Sequence, residues 1–166
     1  MGLDRYRFWG ALCVLAASAV LVGWGVGHAA YRKTFGTELK VTQVRVSKES
    51  EPGVDPRIPK GMLRALKRRF GSEYKSYTVA ATEVREAKLG KDERFDLKKG
   101  GVLTVRVVGY NPSKRIVDLK IQTEQWIIAR SLERGAYWVG YIVGADDPDE
   151  PLAIVIRARL LQIVRP

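Results

Sequence analysis

The chain holds one cysteine and one histidine in 166 residues, Cys13 and His28, and both stand in its first thirty residues. After Ala30 there is neither, so that part can form no disulfide, offers no thiol nucleophile or imidazole base, and provides no cysteine or histidine ligand for zinc. Other familiar devices are missing as well. There is no G-x-S-x-G turn, no Walker loop and no glycine-rich dinucleotide turn. No low-complexity tract or internal repeat of useful length occurs, and no long uncharged run follows the N-terminal one.

That N-terminal run is the first positive feature. Met1–Arg7 is polar, with Arg5 and Arg7 offset by Asp4, and Phe8–Val26 carries no charge. Gly27 and Ala29 are small and two apart, the pattern that a signal peptidase accepts before a cut. Residues 1–30 therefore read as a signal peptide cleaved after about Ala29. They read equally as a signal anchor, because the apolar stretch of residues 8–26 is long enough to span a bilayer as a helix and Trp9 and Trp24 stand near its ends. Cys13 follows Leu12 inside the apolar run, so it reads as a small hydrophobe and not as a lipidation site. Under either reading, residues 31–166 form a single exported domain, periplasmic or extracellular, soluble or tethered to the membrane.

Charge is lopsided. The chain has 29 Lys and Arg against 18 Asp and Glu, and without Arg5, Arg7 and Asp4 the remainder is 27 against 17, a net +10. This excess favours anionic partners, namely an acidic envelope protein, anionic lipid or acidic polysaccharide. Sequence-specific nucleic-acid reading is not expected outside the cytoplasm.

The exported part is dominated by alternation with period two. Leu39, Val41, Val44 and Val46 alternate, with a slip at Thr42–Gln43 that suggests a strand with a bulge. Residues 48–59 contain three prolines and a glycine and read as a loop. Lys60–Phe70 then changes the period. Met62, Leu63, Leu66 and Phe70 fall on one face of a helix, and Lys60, Arg64, Lys67 and Arg68 on the other. Pro59 suits its start, Gly71 its end, and the late basic residues suit the helix dipole.

After Gly71 strands return. Lys98-Lys99-Gly100-Gly101 marks a hairpin, Asn111–Lys114 a turn, and Glu133-Arg134-Gly135 another. Between Val117 and Leu132 no turn residue appears, but the apolar parity shifts to Trp126 and Ile128. That predicts a second bulge near Glu124–Gln125, or a strand that crosses between sheets. Residues 145–151 read as a loop, and the apolar run from Leu152 as a central strand buried on both faces. The whole is mainly β, an antiparallel β-sandwich or open barrel with one short amphipathic helix, preceded by the N-terminal signal or anchor helix. Leu63, Leu66, Phe70, Tyr74 and Tyr77 form an LxxLxxxF…YxxY pattern, followed later by the turn glycine Gly135. The pattern resembles a helix-to-strand segment of uncharacterised exported β-rich domains. The resemblance implies the same fold and carries no activity, cofactor or site residue.

Few constellations carry chemistry. Ser72 and Lys75 fit SxxK, in which a lysine amine takes the proton of a serine one helical turn away. Gly71 ends the helix before them, and no Ser-Asp-Asn or Lys-Thr-Gly follows. Asp146, Asp147, Asp149 and Glu150 lack the alternating spacing of a calcium loop, with Pro148 and Pro151 among them, and read as solvated acids. No cofactor and no metal is expected. The candidate contact residues are Lys60, Arg64, Lys67 and Arg68 on the helix, for an anion, and Tyr137, Trp138 and Tyr141 as an aromatic platform. Tyr137 and Tyr141 share a strand face and Trp138 takes the other. The expected function is a non-enzymatic envelope-associated binding or assembly module for an anionic membrane surface or an acidic partner. The alternatives are a serine hydrolase using Ser72 and Lys75, or a carrier of small apolar ligands.

Overall fold

The computed structural model describes residues 34–48, 53–144 and 147–163, which belong to one compact unit, Thr34–Ile163. The N-terminal segment with Cys13 and His28, and with it the signal and anchor readings, lies outside the described residues. Among the described residues no helix is long and apolar enough to cross a membrane.

The unit is mainly β. In chain order it comprises β1 (Thr34–Ser47), α1 (Lys60–Phe70), β2 (Ser76–Ala87), β3 (Asp92–Asp96), β4 (Val102–Asn111), β5 (Ile116–Gln122), β6 (Ile127–Glu133), β7 (Trp138–Gly144) and β8 (Asp147–Ile163). Two antiparallel four-stranded sheets result. The first has the order β2-β1-β8-β7 and the second the meander β3-β4-β5-β6. The first and last strands are thus central neighbours, with Thr34 opposite Ile163.

Two apolar layers hold the fold. Between the sheets, Leu39, Val41, Leu152, Ile154 and Ile156 of the first pack with Phe95, Leu103, Val105, Leu119 and Ile121 of the second. On the other side of the first sheet, Met62 and Leu66 of α1 pack on Val44, Val46, Tyr77, Val79, Ala153 and Val155. β8 therefore buries both faces, as its unbroken apolar run requires.

This arrangement corrects the expected bulge in β1. Leu39 and Val41 face the second sheet and Val44 and Val46 face α1, so the strand alternates without interruption and only its cover changes side. Its pairing with β8 runs unbroken through Gln43–Ile154 and Val44–Ala153. A bulge does occur at this level, but in the neighbour: Gln43 pairs with Ala81 and Val44 with Val79, which leaves Ala80 of β2 as the extra residue. Gln43, placed by parity toward the second sheet, is buried there. It donates to the Asp96 carbonyl at 2.7 Å and accepts from the Lys98 N–H at 2.8 Å, linking β1 to the β3–β4 hairpin.

The second expected bulge, near Glu124–Gln125, is a hairpin. Gln122 pairs with Ile127, and the buried Thr123 hydroxyl accepts from the N–H groups of Gln125 (3.2 Å) and Trp126 (3.3 Å). A threonine thus does the work that glycine or asparagine does elsewhere. The chain crosses between sheets one strand later, through Arg134–Tyr137, where Gly135 takes a positive φ of 82°. The loop expected at residues 145–151 is shorter than predicted, because β8 starts at Asp147, opposite Gly144. Pro148 and Pro151 are tolerated since the described pairing with β1 begins only at Leu152, which leaves one flank of that stretch without a ladder.

At its start the β2 edge of the first sheet is covered. Along β2, Tyr77 N–H donates to Gly53 O (2.7 Å) and Asp55 N–H to Tyr77 O (3.0 Å). Asp55 accepts from Arg57 Nη2 (2.7 Å) and from Val79 N–H (3.2 Å), and Arg57 reaches on to the Val79 carbonyl (3.0 Å). These bonds, first those from the Arg57 side chain, hold the Asp55 carboxyl well below the usual carboxylate range. The opposite edge, β7, belongs to the candidate site.

Candidate functional site

The helix ends where periodicity placed it. Pro59 precedes it, and Gly71, at a φ of 80°, returns its N–H to Lys67 O at 3.0 Å. Met62 and Leu66 are buried, and Leu63 and Phe70 are partly so. Lys60, Arg64, Lys67 and Arg68 are exposed, and with Leu63 they line a shallow depression of about 420 Å³. Arg69, also exposed, extends this basic surface at the end of α1.

The aromatic residues divide as their parity requires. Tyr137 packs beneath the start of α1, its Cε2 so near Gly61 that a Cβ there would lie 3.3 Å away, and Arg157 lies over its ring at 5.6 Å. Tyr141 is on the same face, 5.8 Å from the Phe70 ring, with the Arg69 guanidinium 5.0 Å from its centroid. Trp138 takes the opposite face, 5.5 Å from Trp126 in an edge-to-face pair. The three do not form a single platform. Tyr137 is taken up by the helix, whereas Tyr141 and Trp138 flank one edge.

That edge forms a cleft. β6 and β7 are edge strands of different sheets, and between them lies a space of about 460 Å³ lined by Trp126, Ile128, Arg130, Trp138, Gly140 and Tyr141, with Arg69 reaching it from α1. Side chains of the β5–β6 turn cap carbonyls of β7: Trp126 Nε1–H donates to Tyr141 O at 3.2 Å and Gln125 Nε2 to Val143 O at 3.1 Å. The Trp138 indole lies along its own strand, over Gly140. A Cβ at position 140 would stand 2.3 Å from Trp138 Cη2, so only glycine admits this ring position. Arg130 is placed opposite Leu119, in the same alternation as Ile128 and Leu132. Its register is that of a core residue, yet it is exposed and puts a cation at the rim.

Arg69, Trp126, Arg130 and Gly140 were not among the residues expected from sequence. Two of them leave a trace there. Arg130 interrupts an apolar alternation through Trp126, Ile128 and Leu132, and Gly140 sits inside a strand next to a tryptophan. Ser72 and Lys75 lie in and after the turn that follows Gly71, both exposed and beside Tyr74 in a separate depression of about 360 Å³. Ser72 is thus outside α1, so the one-turn helical spacing of the SxxK arrangement is not present. Among the described residues no group of three His, Cys, Asp or Glu side chains is placed to hold a metal ion. Asp146 and the side chains of Asp147 and Asp149 lie outside the described residues.

Compared with protein-family models, curated proteins and solved structures, the chain matches none.

Proposed function

We propose that the chain is a non-enzymatic, envelope-associated binding module of the β-sandwich type. It takes an acidic protein partner on the surface that joins the outer face of α1 to the β6–β7 cleft. Arg69 carries this reading: it extends the row of Lys60, Arg64, Lys67 and Arg68 and also lies over Tyr141 at the cleft mouth. A partner segment with a carboxylate beside an aromatic or aliphatic side chain meets cations at the rim and two indoles below. Arginine and aromatic side chains in a half-open cleft are the composition of binding hot spots.

Position along β1 favours an acidic protein over the tethering bilayer as the occupant here. α1 rests on Val44 and Val46, ten and twelve residues along β1 from Thr34, or about 33–40 Å at 3.3 Å per residue. Capture from detergent-solubilised envelopes tests the reading. The wild type should retain an acidic protein at low salt and release it as salt rises. Arg64→Glu with Arg68→Glu should lose it, and Trp138→Leu should weaken it. Equal recovery with the double reversal would sink the proposal. Loss with Trp138→Leu alone, together with binding of a neutral apolar probe, would favour the small-ligand carrier.

A further inference from the structure

We propose that the end of the domain at which β1 begins is a lipid-facing surface that lies against anionic headgroups. The inference rests on the reading that residues 8–26 are retained as an anchor. Because neighbouring strands run antiparallel, β2, β4 and β6 finish at this end, and β3, β5 and β7 start there. Thr37 pairs with Ala87, Leu89 bridges Val107, and Ile116 pairs with Glu133. Three connections lie toward this end: Lys88–Lys91, Pro112–Arg115 and Arg134–Tyr137, the last leading back to Trp138, whose partner Ile156 also pairs with Val41.

These connections hold five basic residues, Lys88, Lys91, Lys114, Arg115 and Arg134, and no acidic one. All five are exposed. Between the first two, Leu89 is 56% exposed on a tip that Gly90 turns with a φ of 77° and that the Gly90 N–H pins to Val107 O at 2.8 Å. Asp92, the carboxylate next to this tip, is already held by the Arg106 fork at 2.6 and 2.7 Å, and Glu38, Glu86 and Glu133 still leave the five cations in excess.

An exposed aliphatic side chain flanked by lysines is suited to a bilayer interface. The apolar group enters the acyl boundary while the ammonium groups stay with the phosphates. The opposite end is mixed, with Lys98 and Lys99 in the β3–β4 turn, Glu124 in the β5–β6 turn and Asp147, Asp149 and Glu150 at the start of β8. An acidic protein on the same loops would be indifferent to lipid class, and the test uses that difference.

The full chain, with Cys13→Ser, is labelled with an environment-sensitive fluorophore at Leu89→Cys or, at the opposite end, at Val102→Cys. It is then reconstituted in vesicles of phosphatidylcholine alone or with phosphatidylglycerol. The Leu89→Cys probe should shift to the blue on the anionic vesicles only and return at high salt, and Lys88→Glu with Lys91→Glu should abolish the shift. The Val102→Cys probe should not move. Chain washed from the vesicles by alkaline carbonate would overturn the anchor, and this proposal with it. Chain that stays on the vesicles while its Leu89→Cys emission is the same on both lipids would overturn the lipid contact alone. A shift at Val102→Cys in place of Leu89→Cys would show that the domain meets the bilayer by the wrong end.

Discussion

Replacing Gly140 with alanine tests the cleft at its tightest point. The new Cβ would meet Trp138 Cη2 at 2.3 Å, Cζ3 at 2.9 Å and Cζ2 at 3.0 Å, distances that no repulsive wall allows. The indole must move or the strand must bend. Forcing a methyl into a packed site costs about 1–3 kcal/mol. Trp138 is only partly buried, so it can swing toward solvent instead, giving up the edge-to-face contact with Trp126, worth about 0.5–1.5 kcal/mol, and some burial. Against this, alanine reduces the freedom of the unfolded chain by about 0.4–1 kcal/mol relative to glycine. The net expectation is a loss of about 1 kcal/mol, or a fall in melting temperature of about 3–5 °C for a domain of this size. Trp126 and Trp138 are the only tryptophans after Trp24, so near-ultraviolet circular dichroism in a Trp9→Phe, Trp24→Phe background reads the pair directly. The decisive comparison is a double-mutant cycle. In a Trp138→Leu background the obstructing ring atoms are gone, and Gly140→Ala should be neutral or slightly stabilising. An equal cost in both backgrounds would refute the placement of the indole over Gly140.

Three further outcomes follow from the packing. Leu66 is fully buried between α1 and the first sheet, so Leu66→Ala should cost about 2–5 kcal/mol in denaturant unfolding, and a cost below that range would mean that the helix docks loosely. Gln43→Ala would remove the side-chain partner of the Lys98 N–H and of the Asp96 carbonyl. At about 0.5–1.5 kcal/mol for each lost hydrogen bond, it should destabilise the domain, and faster amide exchange in the β3–β4 hairpin should reveal the site. Asp55 has a folded pKa below its ordinary 3.8, so its stabilisation is complete above that pH and is lost as pH falls below it toward the folded value. Asp55→Asn should flatten the acid limb of the stability curve while leaving its slope near neutral pH unchanged, and an unaltered acid limb would remove Asp55 from the account.

Local chemistry made some of this legible. α1 was readable because a 3.6 period, Pro59 and Gly71 agree within eleven residues. β8 was readable because apolar residues on both faces demand cover on both sides. What stayed hidden depends on partners distant in the chain. The change of cover along β1 imitates a bulge in any one-dimensional reading, while the real bulge at Ala80 leaves no mark in composition. The Thr123 turn lacks the residues that usually announce one, because its hydroxyl acts only once buried. The basic half of the site was visible as a helix face. The cleft was not, since it exists only where edges of two sheets, one from a meander and one from the end of the chain, come side by side.

The central pairing of β1 with β8 bears on how the molecule comes into being. A ribosome delivers β1 first and β8 last, and the contacts between them span almost the whole domain, which makes them the slowest class of contact to form. The second sheet is a meander of hairpins and can assemble from neighbours, but β1 must wait with one flank unladdered until the final seventeen-residue strand arrives. Until then neither apolar layer is closed, because β8 supplies residues to both. A nascent chain is thus kept from finishing its fold early, and truncation within β8 would leave an adhesive fragment in place of a slightly smaller domain.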